Sequence, residues 1–417
     1  MNTYEFRDPT RFGFTEYVGQ NNLHAAAIGL LAIVVLVFVM GKRNYWFLVM
    51  GLAICNIPSS QRLILAGIDL NVLRLVGAIG FVVLLARGYI HTLKPALLDK
   101  IVVLSLLVPI LMSSIRGQSS AAVTYMGIFA DGVAIYFIGR VALRDLQSVT
   151  AFAWGLLIIS IPIAIAMAIE KTTGRNFFSI FGGVPEFTPV RMGKLRAQGA
   201  FAHSIIAGCW FAASLPILVS QWKSSANLST GKAIVVCGVP LAVVGVFATA
   251  SSTPIAGACV VLGSFLIYPI RNYFMKVRLY ALCAAVIIHF VSVSGIHHLL
   301  YTRFTFVTGS TGYHRYKLVD AAIERMPDWF LFGINSTYSW GYGLDDVTQE
   351  FVQAAVRGGI VGLTLLIAVL VLSFRNAGVL MRSRNPKESF VGYCLGVSVL
   401  VHAVDFLGAS YFGQIQL

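Results

Sequence analysis

The sequence predicts an all-α, polytopic helical membrane protein with about twelve transmembrane helices, and three observations lead there. The 417 residues are 57% hydrophobic and only 12% charged, whereas a soluble globular domain carries about 25% charged residues. Apolar runs of roughly 18 residues or more recur along the whole length, each long enough to cross a bilayer core. Cations also gather in alternate short loops, the asymmetry expected of a multi-pass membrane protein. The chain therefore reads as a single integral membrane domain, 1–417. Its net charge of +14 is scattered through these loops, a pattern that fits contact with membrane lipids and excludes nucleic acid as a partner.

In chain order, apolar runs lie near 24–41, 44–58, 73–90, 100–115, 121–139 and 147–169, and then near 200–221, 232–249, 253–270, 278–294, 351–374 and 389–411. The first run ends at "FVMGKRN" without a small-residue cleavage site, so it is expected to remain as a spanning helix. The second is short and stops at Pro58. Cys55, Cys209, Cys237, Cys259, Cys283 and Cys394 all fall inside apolar runs, without CxxC or Cys/His spacing, and read as small buried hydrophobes. Two connections are long, 170–199 and 295–350. No internal repeat of the transporter kind is visible.

Orientation follows from counting. Alternate loops hold Lys42 and Arg43; Arg87, Lys94 and Lys100; Arg140 and Arg144; Lys223 and Lys232; Arg271, Lys276 and Arg278; and Arg375, Arg382, Arg384 and Lys387. These sixteen cations in six loops mark the inner side. Both long connections then face outward, and with twelve spans so do both termini.

The outward connection 170–199 is nevertheless rich in arginine. "RMGKLRAQGAFAHSI" places Arg191, Lys194 and Arg196 within six residues, and no acidic residue falls between Glu186 and Asp320. Cations on the outer face at the mouth of a helix suit an oxyanion, because guanidinium forks bind phosphate bidentately and helix N-termini add partial positive charge. Lipid head-group anchoring, or an ion pair with Glu186, is the alternative.

The longer connection carries a second constellation. "HRYKLVDAAIERMPDW" sets Val319, Ala322, Ile323 and Met326 on one helical face and Lys317, Asp320 and Glu324 on the other, with His314 and Arg315 at the start. It reads as a short amphipathic helix. After "LFGINSTYSWGYG" the chain returns to the membrane through "DDVTQEFVQAAVRGG". Asp346, Glu350, Gln353 and Arg357 there form a single polar stripe on a helix, which in lipid must face the bundle interior or a water-filled cavity. Asp131, His402 and Asp405 are ionisable groups within apolar runs, and the last two, three residues apart, are placed to hydrogen-bond each other.

The order of these pieces resembles the O-antigen ligase and bacterial polysaccharide polymerase superfamily. The matching residues are Arg196-Ala197-Gln198-Gly199-Ala200-Phe201, then Arg315, then Leu331-Phe332-Gly333, then Gly358-Gly359-Ile360-Val361-Gly362, over a stretch from about residue 100 to about 400. Where many ligases carry a His-Asn pair this chain has Thr348-Gln349, and where many members read Ser-Arg-Gly it has Ser251-Ser252-Thr253. The form "DxTQxF" from Asp346 to Phe351 is similar to a ligase-like sub-branch. The resemblance implies a glycosyltransferase of the bacterial inner membrane, acting in lipopolysaccharide or exopolysaccharide biosynthesis. Such an enzyme moves a glycan from an undecaprenyl-diphosphate-linked oligosaccharide to a lipid or glycan acceptor at the periplasmic face, without metal, nucleotide sugar or other cofactor. Ligase and polymerase both stay open; a chain-length regulator is the further partner if it is a polymerase.

The chemistry needs positive charge for the departing diphosphate and an acceptor for the hydroxyl proton. Arg196 is the first candidate for the charge, with Arg191 and Arg315 beside it and Gln198 and His203 as further substrate-binding candidates. Asp346 is the first candidate for the base, followed by Glu350, His203 and His314. A transporter or lipid-linked glycan flippase, using the intramembrane ionisable residues, is the leading alternative, and a non-catalytic scaffold is a third.

Overall fold

Lipid offers no partner for backbone N–H and C=O groups, so a long apolar run is driven to satisfy them within itself as a helix. Each of the twelve apolar runs contains one in the computed structural model, which describes residues 21–65, 68–225, 227–292, 295–303 and 312–411. The helices are α1 (Ala25–Met40), α2 (Trp46–Asn56), α3 (Val72–Ala86), α4 (Leu97–Ile115), α5 (Ser119–Ala142), α6 (Leu146–Thr173), α7 (Ser204–Ser224) and α8 (Leu228–Ala248). They continue with α9 (Ser252–Leu266), α10 (Phe274–Val291), α11 (Gly295–Arg303), α12 (Gly312–Glu324), α13 (Met326–Trp329), α14 (Glu350–Met381) and α15 (Pro386–Gly408). The architecture is all-α and of the membrane type. Among the described residues seven helices, α4 to α8 with α14 and α15, are long and apolar enough to cross a membrane; the sharply bent pair α10–α11 makes an eighth if it is one span. The run expected at 44–58 yields only the 11-residue α2, about 16 Å long at 1.5 Å per residue and too short to cross unaided.

Helix α7 is the most enclosed, packed against α6, α8, α9 and α15 around a core that includes Phe211, Leu218, Ile163, Ile234 and Val401. A second core, with Phe38, Trp46, Val76 and Ile138, joins α1, α2, α3 and α5. Cys55, Cys209 and Cys394 are buried as expected, but Cys237, Cys259 and Cys283 are exposed on outward helix faces. An apolar side chain needs no protein neighbour where lipid can cover it, so apolarity alone did not imply burial for these three.

The cation-bearing loops meet at one end of the bundle. Arg43 lies 3.9 Å from Asp145, Arg144 reaches Thr92 at 2.6 Å, and Arg87 donates to the Gly41 carbonyl at 3.3 Å. Lys387 reaches the Ser225 carbonyl at 3.4 Å, and Lys223 sits 5.2 Å over the Tyr268 ring. At the other end lie the hairpin β1–β2 (Arg62–Leu65 with Ile68–Asn71), the short hairpin β3–β4 (Val190–Arg191 with Lys194–Leu195) and the segment 312–349.

That last segment is locked onto α14 by a break in the helix. Gly359, at φ 61° and ψ −158°, interrupts α14, and a side chain there would meet the Leu331 carbonyl oxygen at 2.6 Å. The break frees backbone groups for the loop: Ile334 N–H donates to the Val356 carbonyl at 2.9 Å and Ile360 N–H to the Phe330 carbonyl at 2.8 Å. Gly333 also has positive φ, and a Cβ on it would collide with the Val356 carbonyl. "LFG" and "GG" are thus two halves of one joint, since each glycine admits the other's backbone.

Three expectations need correction. Helix α12 buries Arg315, Leu318, Ala321 and Ala322, while Ile323 and Met326 are exposed; its inward face is rotated from the one read in the sequence, because Leu318 anchors it against Trp329 and Trp340. The stripe Asp346–Arg357 is not one helical face, since α14 starts only at Glu350. His402 does not bond Asp405: its ring packs on Phe406 and Tyr411, and the buried Asp405 accepts from Tyr411 Oη at 3.1 Å. Asp131 pairs with Arg74 at 3.2 Å.

Ser310, an obvious outer-loop labelling position, lies outside the described residues, whereas Ser336 is exposed at the end opposite the cation-bearing loops and Arg384 is exposed among them. A cysteine at Ser336 is expected to react with an impermeant thiol reagent added to intact spheroplasts, and one at Arg384 only after lysis. The reverse pattern overturns the orientation.

Candidate functional site

The site is built on the end of α6. Glu170, only 1% exposed, accepts hydrogen bonds from Gln198 N–H at 3.1 Å, Gly199 N–H at 2.9 Å and Thr188 Oγ1 at 3.2 Å. Asn176 adds a bond from its side-chain nitrogen to the Gly199 carbonyl at 2.8 Å. One buried carboxylate therefore organises both ends of the strand-turn-strand that carries the arginines. Arg196 is turned inward, its Nη2 2.8 Å from Ser251 Oγ in the α8–α9 turn. Ser251 is the first residue of the Ser251-Ser252-Thr253 triplet, and its hydroxyl steadies the guanidinium.

A cavity of about 620 Å³ opens above these groups. Arg191, Arg196, His203, Arg315 and Asp346 all line it, so five of the eight sequence candidates converge. Arg116, Arg357, Gln353, Tyr125 and Asp345 line it too. Among the described residues no carboxylate lies within ion-pair distance of Arg191, Arg196 or Arg315. Arg315 is 6% exposed, and the Nε atoms of Arg196 and Arg315 have no hydrogen-bond partner among the described residues. Burial lowers Arg196 to about 10, with Arg191 and Arg315 adding to the effect; it is still protonated at neutral pH. Burial lowers Arg315 in the same direction. Burying an unpaired cation costs on the order of several kcal/mol, so an anionic ligand is what this cluster could accept.

His203 N-caps α7 through Nδ1, which accepts from Ile205 N–H at 3.1 Å. The cap assigns the ring proton to Nε2, making His203 a donor toward the cavity and not a base. Burial, reinforced by Arg196, Arg191 and Arg315, pushes its pKa down to about 3.

Three candidates fall elsewhere. Gln198 is buried, its side chain donating to the Phe201 carbonyl at 3.0 Å, so it shapes the loop. Glu350 turns toward the end of α15, where its carboxylate accepts from Ser410 Oγ at 2.9 Å and Tyr411 N–H at 2.8 Å. It is a tether there because that segment offers donors and the cavity side of α14 is taken by Gln353 and Arg357. His314 stands beside the cavity, its Nε2 3.2 Å from the Asp346 carbonyl oxygen; it braces the backbone of the candidate base. Asp346 is exposed at the cavity wall and does not cap α14, whose N-cap is Gln349.

Arg116 went unread although a signal existed: it is another cation at the end opposite the six cation-bearing loops. Its Nε bonds Asn335 Oδ1 at 2.8 Å and its Nη1 bonds the Phe332 carbonyl, tying the α4–α5 turn to the "LFGIN" joint.

Below the polar cavity an apolar groove of about 580 Å³ runs between α4–α5 and α14–α15, lined by Leu106, Ile128, Leu366 and Phe406 among others. Tyr125 and Arg357 line both spaces. Among the described residues no three His, Cys, Asp or Glu side chains gather as a metal site. No protein-family model matches the chain, and no curated protein matches it in sequence.

A histidine whose folded pKa is depressed adds stability that is complete above its unfolded pKa near 6.5 and is lost as pH falls toward about 3. Detergent-solubilised protein is therefore expected to melt at progressively lower temperature across that window. His203→Asn, which can still cap α7, should show a smaller acid-dependent loss; parallel curves would remove His203 from this account.

Proposed function

We propose that this chain is a membrane glycosyltransferase of the O-antigen ligase or polysaccharide polymerase type. It would transfer a glycan from an undecaprenyl-diphosphate-linked donor to a lipid or sugar acceptor on the periplasmic side of a bacterial inner membrane. The observation that carries this reading is the trio Arg191, Arg196 and Arg315, converging without a carboxylate partner among the described residues in a cavity that adjoins an apolar groove. A diphosphate on a long isoprenoid has the matching halves. The reading also takes all twelve apolar helices as membrane segments, with the arginine-bearing loops outside.

In the proposed step an acceptor hydroxyl oxygen attacks the anomeric carbon of the donor glycan. The bond from that carbon to the diphosphate oxygen breaks, and its electron pair leaves with the diphosphate. The hydroxyl proton passes to the Asp346 carboxylate and then to water. One displacement gives inverted anomeric configuration. Guanidinium groups held in place before the reaction stabilise the charge that grows on the leaving diphosphate, and His203 Nε2–H adds a donor. The alternative, a transporter or lipid-linked glycan flippase, would draw on the intramembrane carboxylates; Asp131 is engaged by Arg74 and Asp405 by Tyr411, which favours the transferase.

Reconstitution with an undecaprenyl-diphosphate oligosaccharide and candidate acceptors tests the reading directly, with lipid-linked products separated by length. Arg196→Lys keeps the charge but loses the planar fork, so turnover should fall strongly, and Arg196→Ala at least as far. The loss should appear more in turnover than in donor binding, because the contact strengthens as the diphosphate leaves. Full activity of a normally inserted Arg196→Ala protein sinks the role.

Asp346→Asn preserves size but cannot take the proton, so transfer should drop by roughly 10²–10⁴-fold, with Asp345→Asn as the neighbouring comparison. A two- or threefold loss at Asp346 would move the base elsewhere.

A further inference from the structure

The two spaces meet at a neck. Tyr125 on α5 and Arg357 on α14 line both the arginine cavity and the apolar groove. The Arg357 guanidinium carbon lies 5.6 Å from the Tyr125 ring centroid, over its face. With the Gln353 amide oriented by its contacts, its oxygen accepts from Arg357 Nε and Nη2 at 2.7 Å each, and its nitrogen donates to the Val347 carbonyl at 3.2 Å. The backbone at Arg357 is held as well, its carbonyl accepting from Arg116 Nη1 at 3.3 Å. The guanidinium is thus fixed by a neutral amide and a ring face, and among the described residues no carboxylate neutralises it. Nothing in the transfer step described above uses it.

We propose that Arg357 is the contact for the lipid-attached phosphate of the donor, distinct from the Arg191–Arg196–Arg315 cluster that holds the sugar-attached phosphate. The inference rests on the transferase reading and adds a division of labour to it. A polyprenyl diphosphate lying in both spaces must change from apolar chain to phosphate at the boundary, and Arg357 is the cation at that boundary. Its Nε and Nη2 are turned to Gln353, which leaves Nη1 for a phosphate oxygen. The same subsite would accept a polyprenyl monophosphate, whose only phosphate is the lipid-attached one.

The test is equilibrium binding, which needs no acceptor and no turnover. Purified full-length protein in nanodiscs is titrated with undecaprenyl phosphate and with undecaprenyl diphosphate. Arg357→Gln is expected to weaken both lipids by a similar factor, roughly tenfold or more for a lost charge-assisted contact. Arg196→Gln is expected to weaken the diphosphate alone. If Arg357→Gln leaves both affinities unchanged, or lowers only the diphosphate, the assignment is overturned while the transferase reading stands. If the unaltered protein binds neither lipid, the transferase reading itself falls and this inference with it. Should Arg357→Gln fail to accumulate, Arg357→Lys keeps the charge and loses the fork; it should weaken both lipids by a smaller common factor, and unchanged affinity for both overturns the assignment.

Discussion

The site hangs on one buried carboxylate. Glu170 ends a helix long enough to span the membrane, and it spends its acceptor capacity on backbone N–H groups of Gln198 and Gly199 and on the Thr188 hydroxyl. Among the described residues it pairs with no cation, although Arg196 is only two residues from the first of those groups. A carboxyl group whose oxygens accept several N–H and O–H donors can sit in a buried setting because its acceptors are satisfied. That arrangement separates support from function. The loop is held by the acid, and among the described residues the arginines it presents have no carboxylate partner.

The segments that carry positive charge with no carboxylate partner among the described residues are held by the surrounding joints. The break at Gly359 and the turn at Gly333 exchange backbone hydrogen bonds, so the 326–334 segment and α14 behave as one unit. Arg116 fastens α4 to that unit. Leu318, Trp329, Trp340 and Val356 pack the same region from the outside. Helix α12 is rotated by this packing until Arg315 faces inward with the apolar residues. Repulsion among neighbouring guanidiniums cannot relax by swinging the loops apart.

The boundary between the polar cavity and the apolar groove gives the molecule a direction. The polar cavity lies at the end bearing the β3–β4 hairpin, and the apolar groove runs between α4–α5 and α14–α15. Glu350, seven residues before Arg357, secures the α15 terminus through Ser410 and Tyr411, so the wall opposite the arginine hairpin is also fixed. At the α8–α9 turn the Ser251 hydroxyl orients Arg196.

By itself the sequence determined the membrane class, the places where helices form and the end of the bundle to which each loop belongs. Those properties follow from local composition, the length of apolar runs and the distribution of loop cations, none of which needs a distant partner. It also marked Arg191, Arg196, Arg315 and Asp346 as candidate site residues. Tertiary structure decided which of them meet. Arg116, Arg196, Arg315 and Arg357 come from four separate parts of the chain, and only helix packing brings them to one cavity. Periodicity assigned Glu350 to the cavity stripe, and packing turned it to the end of α15; Arg315, read at the start of α12, faces inward with Leu318. A helix's buried face is set by the neighbour it meets, and a side chain's role by whichever donors that neighbour brings.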